Sequence, residues 1–137
     1  MKIVLDTNVL LVAISQRSIF HPVFKAILDK KIDVYVTTDI VFEYEEILKK
    51  HIGILATESV LRVLEKAPNV HWITKYYRWR LISIDADDNK FVDCAIASDT
   101  NYLVTNDKHF DILQSIEFPK VETITARDFL SILKSIK

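Results

Sequence analysis

Apolar and polar positions come in short blocks along this chain, and the period of the pattern changes from block to block. Lys2 to Leu5 is a brief apolar run ended by Asp6, and "VLLVAIS" from Val9 then reads as a buried helical segment. His21 to Lys30 has helical spacing, with Pro22 early, where a missing N–H costs nothing. "DVYVT" from Asp33 to Thr37 predicts a second strand, and Asp39 the N-cap of a helix running to about Lys50. A further amphipathic helix spans Thr57 to Lys66 and is stopped by Pro68, before a third strand at Val70 to Ile73. Helical period returns from Asp88 or Asn89 to Asp99, with Asp88 placed to cap that helix, and "YLVT" from Tyr102 is a fourth strand. Asp107 to Ser115 reads as helical, Val121 to Ile124 as a fifth strand, and Thr125 with Asp128 resembles the capping box of a last helix.

Strands alternating with helices predict βαβ units, hence an α/β fold with a parallel sheet covered on both faces. With 137 residues and no repeat, linker or low-complexity tract, the expectation is one domain over residues 1–137. Right-handed crossovers put every strand's carboxyl end at one edge of the sheet. Ligands of open α/β sheets collect there, where the strand order reverses. If the first and fourth strands are neighbours, Asp6 and Asp107 face each other across that crevice.

Asp93 stands among Phe91, Val92, Cys94, Ala95, Ile96 and Ala97, so its carboxylate is expected to be buried, at a cost unless it is paired or bound to a cation. Asn89 lies four residues earlier on the same helix face and is expected to support it. In the helix from Asp39, the apolar stripe is Ile40, Val41, Tyr44, Ile47 and Leu48. Glu46 falls far from that stripe, while Glu43 and Glu45 flank it on opposite sides, and periodicity does not choose between these two.

Composition then removes function classes. Lys plus Arg number 18 against 19 for Asp plus Glu, so nothing here coats a polyanion by bulk charge, and such a ligand needs a local patch or a metal. Gly53 is the only glycine, which rules out a P-loop or a dinucleotide fingerprint. The single cysteine, Cys94, makes neither an internal disulfide nor a thiolate zinc site and fits a reducing compartment. Asp6, Thr7 and Asn8 interrupt the first apolar run too early for a signal-peptide core, and no apolar run approaches the ~20 residues of a bilayer span. A cytoplasmic protein without a membrane partner is expected.

Four converging carboxylates repel one another by several kcal/mol where the effective dielectric is roughly 20, so protonation or a divalent cation must relieve them. A donor set of oxygens without converging Cys or His favours Mg2+ or Mn2+. At this point the chain resembles the PIN-domain nucleases. The resemblance spans nearly the whole chain and rests on "LDTNVLL" at the start, "EYEEIL" after the second strand, "DADDNKFVDCAIASD" before the fourth and "YLVTNDKHF" at it.

The resemblance implies a PIN-like α/β/α sandwich with a central parallel sheet of about five strands. It matches the catalytic and metal-binding acids of the family to Asp6, Glu43, Asp93 and Asp107, and so takes Glu43 over Glu45. Asn8 and Thr105 match the polar supports beside the first and last acids, and Asn106 stands where many relatives have glycine; Asp88 and Asn89 are expected as supports from their positions on the helix alone. The implied activity is hydrolysis of RNA phosphodiester bonds dependent on Mg2+ or Mn2+. "DDNKF" resembles a prokaryotic branch of toxins from toxin–antitoxin systems, which implies a protein antitoxin beside the RNA substrate, and a homodimer is allowed. Two other functions fit the pattern in part: a receiver-like phosphoacceptor domain that binds Mg2+, and a PIN-like module that binds RNA or protein without cutting.

"KYYRWR" mixes rings and bases and has two readings. Lys75, Tyr77, Arg78 and Arg80 form a single-strand RNA-binding surface, or the stretch is extended with alternating buried faces. The four histidines are scattered, and ordinary surface or core roles are expected for them.

Overall fold

A computed structural model of the chain describes residues 1–136. Strand β1 (Lys2–Leu5) leads into α1 (Thr7–Ala13) and α2 (His21–Leu28), then β2 (Asp33–Val36). Helix α3 (Thr38–Lys66) returns to β3 (Val70–Trp72), and a long connection ends in a 3-10 turn at Ala86–Asp88. Helix α4 (Asn89–Ser98), β4 (Tyr102–Val104), a 3-10 segment (Lys108–Ser115), β5 (Thr123–Ile124) and α5 (Ala126–Ser135) complete the order.

The five strands form one parallel sheet in the order β3-β2-β1-β4-β5. The expected β1–β4 adjacency is therefore present, with Ile3 beside Tyr102, Val4 beside Leu103 and Leu5 beside Val104. Ile3, Val4, Leu5, Val34, Val36, Leu103 and Val104 are buried, as strands covered by helices on both faces must be. The order reverses between β1 and β4, which puts the crevice at their carboxyl ends. Receiver domains of the flavodoxin type have the order 2-1-3-4-5. That alternative is thereby excluded.

Several elements differ from the pattern reading, each for a local reason. The two helices expected at Asp39 to Lys50 and Thr57 to Lys66 follow each other directly, joined at Gly53 with φ 83° and ψ 173°. Thr37, not Asp39, is the N-cap residue of α3. Asp39 lies in the first turn, where its carboxylate accepts from Ile40 N at 2.9 Å, from the Thr37 hydroxyl and from Lys75 Nζ at 2.5 Å. Asp88 precedes α4 but makes no capping bond, because the backbone is already helical there. Asp85 is the residue that caps, accepting from Asp87 N at 3.0 Å. The segment after Asp107 is 3-10 rather than α, and its buried residues, Phe110 and Leu113, are three apart, which matches three residues per turn. Strand β5 is two residues long because β4 offers partners only to Thr123 and Ile124, while the Val121 side chain packs into the core. As expected, Thr125 caps α5, accepting from Asp128 N at 3.1 Å.

Gly53 adopts a backbone conformation that is close to glycine-only, yet an added Cβ there would meet nothing within 4 Å. Its requirement is one of backbone angle and not of space. Gly53→Ala is expected to lower stability by about 1–3 kcal/mol, read as a shift of the urea midpoint at unchanged slope.

Candidate metal and active site

Asp6 ends β1, with its backbone N–H bonded to Val104 O at 3.0 Å. Its carboxylate is buried, and both oxygens are held: Oδ1 accepts from Thr7 N at 2.8 Å and Oδ2 from Thr105 Oγ1 at 2.7 Å. Thr105 Oγ1 also accepts from Asp107 N at 3.0 Å, so one hydroxyl ties the acids after β1 and β4 together. Burial raises the Asp6 pKa, and the charges of Glu43 and Asp107 add to it, against the bonds from Thr105 and Thr7.

Helix α3 supplies Glu43 to the same place. Its Oε2 accepts from the Thr7 hydroxyl, and its Oε1 lies 2.7 Å from Lys90 Nζ. The α3 backbone is fixed one residue on by buried Tyr44, whose hydroxyl donates to Leu5 O at 2.5 Å. Lys90 also meets Asp87 Oδ1 at 2.8 Å. Burial works against the Lys90 charge, but Asp87 and Glu43 outweigh it and raise its pKa. Glu45 instead pairs with Lys49 on the helix surface at 2.9 Å.

Asp107 caps the 3-10 segment that follows it, accepting from His109 N at 2.9 Å. His109 Nδ1 lies 3.5 Å from Asp107 Oδ1 and 3.2 Å from Asp88 Oδ2. One ligand atom each from Asp85, Asp88 and His109 lies within 4.8 Å of the others, the one such group among the described residues. Burial pushes the Asp88 carboxyl up to about 6, and Asp85, Asp107 and Asp6 add repulsion that the His109 contact only partly offsets. A continuous polar chain thus runs from Asp88 through His109, Asp107, Thr105, Asp6, Thr7 and Glu43 to Lys90.

Asp93 is buried as expected but set in different company. Its Oδ1 accepts from Trp79 N at 3.1 Å, and the charges that act on it most strongly are Lys75, Arg78 and Asp39, not Asp6, Glu43 or Asp107. Burial raises its pKa against those two bases. It lines a cavity of about 240 Å³ with Asp39, Lys75, Arg78, Asp87, Asn89 and Lys90. Asp93 thus has its own set of contacts in this structure, while Asp88, expected as a supporting residue, lies close enough to Asp107 and Asp6 for their charges to raise its pKa. Asn89 does not support Asp93. Its amide holds the incoming connection, with Oδ1 accepting from Ile82 N at 2.9 Å and Nδ2 donating to Ile82 O at 2.8 Å and Ala86 O at 3.1 Å.

Asn8 is exposed at the start of α1, and Asn106 accepts from Ala126 N at 3.0 Å, which ties the turn after β4 to α5. In "KYYRWR", Lys75 is turned to Asp39 and Arg78 lies by Asp93, while Tyr76, Tyr77 and Arg80 are exposed. Thr7, Lys90 and Asp85 carry no mark in the sequence pattern, and the ordinary surface or core role expected of His109 is corrected, since it converges with Asp85 and Asp88. Thr7 was legible only as part of "LDTN", and the i, i+3 spacing of Asp87 and Lys90 was the one local sign of their pairing. Burial pushes the Cys94 thiol up to about 12, so it is not poised as a nucleophile.

The side chains fit a hard divalent cation. Oxygens of Asp85 and Asp88 and a ring nitrogen of His109 converge within 4.8 Å, and Asp107 and Asp6 lie near enough for their charges to raise the Asp88 pKa further. No membrane-crossing helix exists among the described residues.

Residues 2–109 match the model of the family described as "PIN domain". A search of curated proteins gave no significant match. Among solved structures the chain is similar to VapBC2 from Rickettsia felis, bound to a DNA fragment from their promoter, at TM-score 0.63 and 19% identity over 91% of this chain and 98% of that one. It is also similar to PAE2754 from Pyrobaculum aerophilum, at TM-score 0.60 and 16% identity over 98% and 99%. The PIN domain endonuclease Utp24 matches at TM-score 0.53 and 17% identity over 90% and 84%. These likenesses establish the five-strand parallel sheet flanked by helices as a PIN-like α/β/α fold.

The raised acids fix a sign for stability against pH. Asp6 and Asp88 bind protons more tightly in the folded than in the unfolded chain, so their contribution is fully present below pH ~4 and is lost as pH rises through the folded pKa, about 6 for Asp88. In EDTA this contribution to the melting temperature is expected to fall between those values, and Asp88→Asn to flatten that fall. Millimolar Mn2+ should restore stability above pH 6, read by differential scanning fluorimetry, since a cation that binds only the folded state adds ~2.7 kcal/mol at a hundred times its dissociation constant.

Proposed function

We propose that this chain, which belongs to the PIN domain family, is a metal-dependent endoribonuclease that hydrolyses RNA phosphodiester bonds, with residues 1–137 acting as one PIN-like domain in the cytoplasm. The observation that carries the reading is the polar chain linking Asp6, Glu43, Asp88 and Asp107 at the point where the strand order reverses. In this reading Asp6, Asp88 and Asp107 hold Mg2+ or Mn2+, with Asp85 and His109 at the margin. When bound, the ion supplies a water of lowered pKa and charge to offset that of the phosphoryl oxygens.

The chain's own residues do the rest. Thr105 fixes the direction of the Asp6 carboxylate and keeps Asp107 beside it. Thr7 and Lys90 hold Glu43, which orients the attacking water. Asp93 anchors the connection carrying Lys75, Tyr77, Arg78 and Arg80 through the Trp79 N–H, and so sets where that segment meets RNA. The chain acts as the toxin of a toxin–antitoxin pair, opposed by a protein antitoxin. Support for that role comes from the "DDNKF" run and from the likeness to VapBC2.

The test is an assay on total RNA in Mn2+ and in EDTA. Cleavage is expected in Mn2+ alone. Asp6→Asn and Asp107→Asn should each slow it by at least about 100-fold, a loss of roughly 2.7 kcal/mol in barrier lowering, with unchanged circular dichroism. Asp88→Asn is expected to cost about tenfold more than Asp93→Asn. Wild-type rates in Asp6→Asn would refute the assignment. RNA that is bound but left whole in Mn2+ would favour the non-cleaving module.

A further inference from the structure

Lys90 is a half-buried cation inside an acidic crevice, with 10% of its side chain exposed. Its Nζ lies 2.7 Å from Glu43 Oε1 and 2.8 Å from Asp87 Oδ1. Asp87 is 72% exposed and screened by water, so the Glu43 contact is the one made in a low-dielectric setting. The other Glu43 oxygen is taken by the Thr7 hydroxyl. A second cation approaching Glu43 would therefore meet the charge of an ammonium already 2.7 Å from its Oε1. Lys90 is also poorly free to leave: it follows Asn89, whose amide clamps Ile82 and Ala86, and its ammonium sits 5.7 Å from the centre of the Phe91 ring.

We propose that the Lys90 ammonium stands in the place of a second cation at Glu43, so that the crevice takes one divalent ion where two-metal nucleases take two. This rests on the reading of the crevice as a divalent-cation site. Local charge favours it, since the ammonium already offsets part of the negative charge of Glu43 and Asp87 and so weakens the pull on a second ion there. Two-metal sites hold their ions ~3.5–4 Å apart between shared carboxylates. An ammonium on Glu43 removes one of the carboxylates such a pair needs.

Stoichiometry decides the matter without reference to activity. Mn2+ is titrated into the full chain and free ion is followed by electron paramagnetic resonance. Wild type and Lys90→Arg, which keeps the charge, are expected to bind one equivalent. Lys90→Met, which keeps the stem and removes the charge, is expected to bind a second in the same concentration range. Two equivalents in wild type, or one in a folded Lys90→Met, would overturn the inference and leave the proposed function standing. No Mn2+ bound by wild type would remove the metal site itself, and the inference with it. If Lys90→Met fails to fold, Lys90→Gln, which also removes the charge, is counted in its place with the same outcomes.

Discussion

The register in which β1 lies beside β4 fixes almost everything of chemical interest here. Leu5 opposite Val104 puts Asp6 and Thr105 side by side one step later, and the Asp6 N–H to Val104 O bond extends the ladder into the crevice. A slip of one residue would turn the Asp6 side chain to the other face of the sheet. Residues 99 apart in sequence are thus brought to hydrogen-bond distance by packing of Ile3, Val4, Leu5, Leu103 and Val104, all of them buried. The apolar core does the positioning, and the acids are carried by it.

What the core brings together, electrostatics would push apart. Unit charges a few ångströms from one another in a partly dry site repel by several kcal/mol at an effective dielectric of roughly 20. The structure meets this with hydroxyls and one ammonium interleaved between acids: Thr105 between Asp6 and Asp107, Thr7 beside Asp6 and on Glu43, Lys90 between Glu43 and Asp87. Each removes part of the cost of burying a carboxylate, because a bonded polar group is far cheaper to bury than a bare one. Asp88 is less well served, having only His109, and its pKa is displaced to about 6. That residual strain lies where a divalent cation would relieve it.

Much of this was legible in sequence because it follows from short-range rules. Strand, turn and helix blocks, the β1–β4 pairing and the placing of Asp6 and Asp107 come from hydrophobic period and crossover handedness, which act over a few residues. The contacts of Asp88 and Asp93 were not legible, and the reason is a matter of helical phase. Asp88 and Asp93 are five residues apart, which at ~100° per residue is about 140° around a helix, so the two carboxylates meet different neighbours. A 3-10 turn at Ala86–Asp88, capped by Asp85, sets that phase, and no apolar pattern announces such a turn. Asp93 drew attention through its apolar neighbours. Burial, though, says that a carboxylate needs a partner and not which partner, and here it is a backbone N–H backed by Lys75 and Arg78. Thr7 and Lys90 carried no periodic signal at all, since a hydroxyl or an ammonium gains meaning only from what the fold sets opposite it.

The same pairing constrains how a polyanion could approach. Near this edge Lys75 is bound to Asp39 and Lys90 to Glu43 and Asp87, so part of the local positive charge is already spent on the protein's own acids. Burial favours a neutral Asp39, yet Lys75, the Thr37 hydroxyl and the Ile40 N–H outweigh it and lower its pKa, which keeps that ion pair closed. A chain of formal net charge −1 then has little field with which to draw RNA in. On the proposed reading, attraction comes instead from the divalent ion and from the exposed Tyr76, Tyr77 and Arg80, which present rings and one unpaired cation to single-stranded bases. Such binding falls less steeply with salt than binding through many phosphate contacts, because few counterions are released. It depends instead on the metal, so the group that supports cleavage also decides whether substrate stays.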